Sequence, residues 1–154
     1  VKKGKKINNE ITEVTELISS ASLIAVSNFE KTGLMDEELF IDGVDHEWCW
    51  RVSSRMNGRF FIVETVKLSH YLGEGDRYFL WKKVPIPTPF RTYYQFRNYF
   101  ILLRRDYVPT YWKVSNGIKY VIKLFYYPLC ISPRLLYLKK IAMGIRDGIF
   151  YKKI

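Results

Sequence analysis

Up to about residue 88 the chain mixes short apolar runs with turn-rich polar stretches. After that it settles into long segments with an apolar residue every three or four positions. Residues 1–13 are charged and predict a frayed lead-in. The run LISSASLIAVS (17–27) is apolar with small residues at its centre, which predicts a buried strand or a close backbone approach. Ser27 and Glu30 have capping-box spacing and predict a short helix that Gly33 can close. A longer helix is expected from Asp45 as N-cap, with Glu47 in its first turn, Trp48, Val52 and Met56 on one stripe, and Asn57-Gly58 as the stop. RFFIV (59–63) reads as a strand, and VPIPTP (84–89), with its three prolines, as irregular chain.

Beyond the prolines the period becomes helical. RTYYQFRNYFILLRRD (91–106) sets Phe96, Tyr99, Phe100 and Leu103 on one face. After Pro109, Val114, Ile118, Val121, Ile122 and Phe125 fall opposite Asn116, Lys119 and Lys123, and Pro128 is expected to end that helix. Ser132 and Pro133 have the pattern of an N-cap followed by proline at N1. They open a third helix striped by Leu135, Leu138, Ala142, Ile145 and Ile149. The pattern predicts a mainly helical α+β chain with a boundary in the proline segment, giving regions 1–88 and 89–154.

Charge sharpens that division. Residues 1–76 carry a net −4, whereas residues 77–154 carry +14 with only Asp106 and Asp147 as acids. Nineteen of the 26 aromatic residues also lie in the second part. A basic, aromatic, amphipathic segment fits an anionic membrane surface, or helices that pack on one another with their lysines solvated. It also fits a single-strand nucleic-acid binder or a helical protein-interaction module, although no recognition motif for nucleic acid is present. Cys49 and Cys130 stand far apart in apolar surroundings and are expected as buried free thiols in a reducing compartment; no Cys/His spacing suits zinc. The first residues lack the apolar core of a signal peptide, and no run of 18 uncharged apolar residues predicts a membrane span.

The candidate chemistry sits in FIDGVDHEWCWR (40–51), where Asp42, Asp45 and Glu47 precede two tryptophans. On residue pattern alone, Asp45 reads first as a helix cap and His70 as a structural histidine, with catalytic base and ligand as the alternative readings.

The run SSASLIAVSNFEKTGLMDEELFIDGVDHEWCWR (19–51), with the histidine of SHYLGEG and the basic aromatic YYQFRNYFILLRR (93–105), resembles the C-terminal part of an inverting, family-two GT-A-fold glycosyltransferase, most like the bacterial dTDP-rhamnosyltransferases. The likeness covers most of residues 15–106 and touches the tail at GIRDGIF. It implies the acceptor-side part of a GT-A domain (1–88) followed by a basic aromatic helical appendage (89–154). It implies Asp45 as general base, Asp42, Glu47 and Trp48 near the substrate, and His70 as a ligand of a divalent metal, Mn²⁺ or Mg²⁺. The implied partners are a nucleotide-sugar donor and a saccharide or lipid-linked acceptor, in the cytoplasm or on the inner face of a bacterial membrane.

Two positions depart from the family pattern: Val44 stands where many relatives have Glu, and Ala21 where Gly is usual. The Asp-x-Asp metal motif of the donor half is absent from the sequence. The chain is therefore expected to be a piece of a longer protein, inactive by itself and, with sheet edges and apolar surface uncovered, able to self-associate.

Overall fold

The computed structural model describes residues 4–69, 76–79 and 82–152. Among these the fold is α+β and mainly helical, as the hydrophobic pattern predicts. Strands β1 (Lys5–Lys6) and β2 (Ile11–Val14) are followed by helices α1 (Val26–Thr32) and α2 (Val44–Met56). Next come β3 (Phe60–Val63), β4 (Asp76–Phe79) and β5 (Lys82–Pro85), then α3 (Pro89–Leu103), α4 (Thr110–Cys130) and α5 (Arg134–Ile149). An antiparallel sheet runs β1-β2-β3, with Ile11 opposite Val63 and Val14 opposite Phe60; β4 and β5 form a separate antiparallel pair.

Several local expectations are corrected. Residues 1–13 are not all frayed, because β-branched ITEV finds its partner in β3, far along the chain. The run 17–27 is not a buried strand: Leu23 is fully exposed and α1 begins at Val26. Ser27 lies inside α1 and makes no capping bond; Ala25 takes the N-cap place, although Gly33 does end the helix, with φ 77°. The cap of α2 is Gly43 in left-handed conformation, so Asp45 sits one position inside the first turn. Pro85 ends β5 and Pro89 opens α3 behind a Thr88 cap, which leaves only 86–88 irregular. Proline suits both places, since neither a strand end nor a first helical turn needs its N–H. Pro128 lies within α4, which runs on to Cys130, and α5 starts at Arg134 with Pro133 as its cap residue.

Among the described residues three apolar clusters form the core, and α2 takes part in two of them. Trp48, Cys49 and Val52 pack on Val14 and Phe60 of the sheet, whereas Trp50, on the other side of α2, joins Leu39, Ile101, Leu102 and Val108. Burying side chains of this size contributes about 1.5–3 kcal/mol each. The predicted stripe of α2 caught only the sheet-facing side, and its third member, Met56, is exposed. The third cluster gathers Phe96, Tyr127, Ile131, Tyr137 and Ile141 from α3, α4 and α5.

The buried face of α5 is Tyr137, Ile141, Gly144 and Gly148 rather than the predicted leucine stripe, of which Leu135 and Leu138 face solvent. The glycines decide this. A Cβ at Gly144 would lie 2.5 Å from the Tyr93 carbonyl oxygen, and one at Gly148 would lie 2.6 Å from that of Arg97, so α5 rests directly on the α3 backbone.

Candidate active site

The acids of the 40–51 segment reach their positions through an irregular loop. Phe40, Asp42 and Gly43 all adopt positive φ, at 57°, 66° and 93°. Two of the three are not glycine, and such residues cost about 1–2 kcal/mol each unless the surroundings impose the conformation. Here α3 imposes it. The buried Asn98 side-chain amide donates to the carbonyls of Leu39 (2.7 Å), Ile41 (2.7 Å) and Asp42 (3.0 Å). Arg97 Nη1 donates to the Glu38 carbonyl at 2.8 Å, and Phe40 packs on Phe90 and Tyr94.

The loop then sends its three acids in different directions. Asp42 accepts a two-pronged bond from Arg91 of α3, with Nε 2.8 Å and Nη2 2.9 Å from its oxygens. Glu47 is fully buried and takes bonds from Arg51 Nε at 2.9 Å, Arg105 Nη1 at 3.0 Å and the Tyr107 hydroxyl. Arg105 also bonds Asp36. Burial works against the Arg105 charge, but Tyr107 and Asp36 outweigh it and raise its pKa; burial and the Glu47 bond push Tyr107 up to about 12. This cluster borders a cleft of about 550 Å³ that also draws in Arg55 and Arg104.

Asp45 differs from both. It makes no hydrogen bond or ion pair among the described residues, and it lines a second cleft, of about 510 Å³, with Ser19, Ser22, Asn28, Lys31 and Trp48. Trp48 anchors the wall: its indole N–H donates to the Gly33 carbonyl at 3.1 Å, and its ring packs on Phe29 and Phe60. The structure thus brings Asp45 and Trp48 to one cleft, sets Glu47 on another, and ties Asp42 to α3. His70 lies outside the described residues.

Sequence reasoning missed Asn98, Arg91, Arg97 and Arg105, which shape or neutralise the acidic loop from about fifty residues away. One signal was present: Asn98 and Arg97 interrupt an otherwise aromatic run, and a polar side chain within a packed face needs a partner. It also missed His46, whose Nδ1 lies 2.7 Å from Glu16 while its ring stacks on Trp50.

The described residues contain no group of three or more His, Cys, Asp or Glu side chains placed to hold a metal ion. The donor set on view therefore does not fit a divalent cation. Among the same residues, no helix is long and apolar enough to cross a membrane.

No family model and no solved structure matches the chain. A curated protein does: the dTDP-rhamnosyl transferase RfbF of Shigella flexneri is 36% identical over 135 residues, which make up 86% of this chain and 44% of that relative. The chain thus spans less than half the length of the protein it matches. The likeness agrees with the resemblance carried by residues 19–51.

Proposed function

We propose, from this likeness to part of a rhamnosyltransferase, that the chain is the C-terminal, acceptor-side portion of an inverting glycosyltransferase of GT-A fold. The whole protein would pass rhamnose from a dTDP donor to a cell-surface polysaccharide or a lipid-linked saccharide at the inner face of a bacterial membrane. One observation carries the reading. Of the acids in the 42–47 segment, Asp42 and Glu47 are occupied by arginines, whereas Asp45 lines a cleft with no partner among the described residues.

In this reading the Asp45 carboxylate accepts the acceptor's hydroxyl proton while that oxygen bonds to the anomeric carbon. The bond from that carbon to the diphosphate breaks, its electron pair leaves with the diphosphate, and the configuration inverts. Trp48 forms the cleft wall beside the acid, and the polar side chains of Ser19 and Asn28, which line the same cleft, are available to sugar hydroxyls. Asp42 and Glu47 act on the substrate only through the loop and helix they fix. A divalent ion, Mg²⁺ or Mn²⁺, would offset charge on the departing diphosphate in the whole protein, with ligands from outside the described residues.

The test is sugar transfer by the whole protein from labelled dTDP-rhamnose. Replacing Asp45 with Asn should lower the rate at least about 100-fold, whereas the 154-residue chain alone should leave the donor intact. Transfer at an undiminished rate by the Asp45→Asn protein would overturn the assignment.

A further inference from the structure

We infer that the outer face of α4 is a docking surface for an anionic lipid bilayer, on which the helix lies flat. This deepens the acceptor-side reading, and rests on it only for which membrane is meant.

Hydrophobic periodicity sets Val114, Ile118, Val121, Ile122 and Phe125 on one side of the helix, a stripe that suits either packing on other helices or a membrane surface. The stripe exists, and it faces outward: Ile118 and Phe125 are each 61% exposed, and Leu129 extends the face at 66%. What α4 turns inward is its aromatic and polar side, with Tyr120, Leu124 and Tyr127 packed in the helical cluster and Lys123 bonded to Gln95. An apolar face of this length on a soluble surface calls for a partner. A groove of about 510 Å³ runs along it, lined by Tyr99, Leu103, Val114, Ile118 and Val121.

Charge decides which partner. Residues 107–146 hold seven Lys/Arg and no Asp or Glu. Lys119 is exposed on α4 next in the chain to Ile118, and Arg134 and Lys139 are exposed on α5. A second copy docking face to face would bring like charge against like. Nucleic acid would meet aliphatic side chains where it needs bases stacked on rings. Anionic headgroups suit the flanking cations, and acyl chains suit the aliphatic face; this is the design of an interfacial helix. At 21 residues α4 would lie about 30 Å along the surface.

The experiment is co-sedimentation of the 154-residue chain with vesicles of phosphatidylcholine, with and without phosphatidylglycerol. Binding is expected only with phosphatidylglycerol. Ile118→Asp combined with Phe125→Asp should weaken it at least about tenfold, and Lys119→Glu about fivefold or more, falling further with salt. Both sites are exposed, so circular dichroism should show the variants folded. No binding by the folded wild-type chain, equal binding to both vesicle types, or binding untouched by the Asp substitutions would each overturn the inference. So would a self-association that the same substitutions disperse in a chain that ignores vesicles. Vesicle binding does not depend on Asp45, so it can fail while transfer stands, or stand while transfer fails.

Discussion

Arg105, just beyond α3, places Nη1 3.0 Å from Oε1 of the fully buried Glu47 on α2. The pair joins the basic, aromatic part of the chain to the underside of the helix whose first turn carries Asp45. Because Glu47 is out of water, it depends on its donors. Arg105→Ala should destabilise the fold by about 1.5–3 kcal/mol, the cost of taking one charged hydrogen bond from a buried carboxylate that keeps Arg51 and Tyr107. Urea unfolding followed by tryptophan fluorescence measures it, and a loss below 1 kcal/mol would show the pair to be ornamental.

Asp45 should behave in the opposite way. With no protein partner among the described residues, its replacement by Asn removes only a favourable charge at a helix start, about 0.3–1 kcal/mol. Unfolding of Asp45→Asn should therefore nearly overlay the parent. A large drop in midpoint would reveal a structural role.

Gly144→Ala and Gly148→Ala should each cost about 1–3 kcal/mol, since the added carbon meets α3 backbone that cannot move aside. Ala142→Ser, on the exposed face of the same helix, should stay within about 0.5 kcal/mol. Thermal melts of the three variants make the comparison.

The two thiols should separate cleanly. Burial pushes Cys49 up to about 11, and its sulfur accepts from the Leu17 amide, whereas Cys130, expected buried, is exposed at the end of α4. Iodoacetamide at neutral pH should add one group to the native chain, at Cys130, and two after denaturation. Mass spectrometry of the peptides distinguishes the sites.

Lys123 gives a pH signature. Burial pulls its amine down from 10.5 to about 8, against the opposing pull of Asp42. Between those values the unfolded chain binds more protons than the folded one, so this group makes stability rise as pH climbs from 8 towards 10. Lys123→Met should be the more stable protein at pH 7, by on the order of 2 kcal/mol, and should flatten that rise. Denaturation series at several pH values read out both effects.

The helices were legible because their repeats are local, and so was RFFIV, whose aromatic and β-branched residues favour extended chain. The direction in which each stripe faces was not. On α4 the strongest apolar stripe points outward, and on α5 the true contact is made by glycines, which carry no hydrophobic signal. Asp45 could be singled out by motif, but its unpaired state could not, because that follows from Arg91 and Arg105 arriving from distant parts of the chain to engage its two neighbours.

One consequence concerns portability. Asn98 spreads its amide over three carbonyls of the acidic loop, so the left-handed turns there are written partly in a helix encoded some fifty residues later. Grafting residues 33–56 onto another scaffold would transplant the letters of the motif without its mould. A chimaera that keeps the acid correctly aimed must inherit α3 as well.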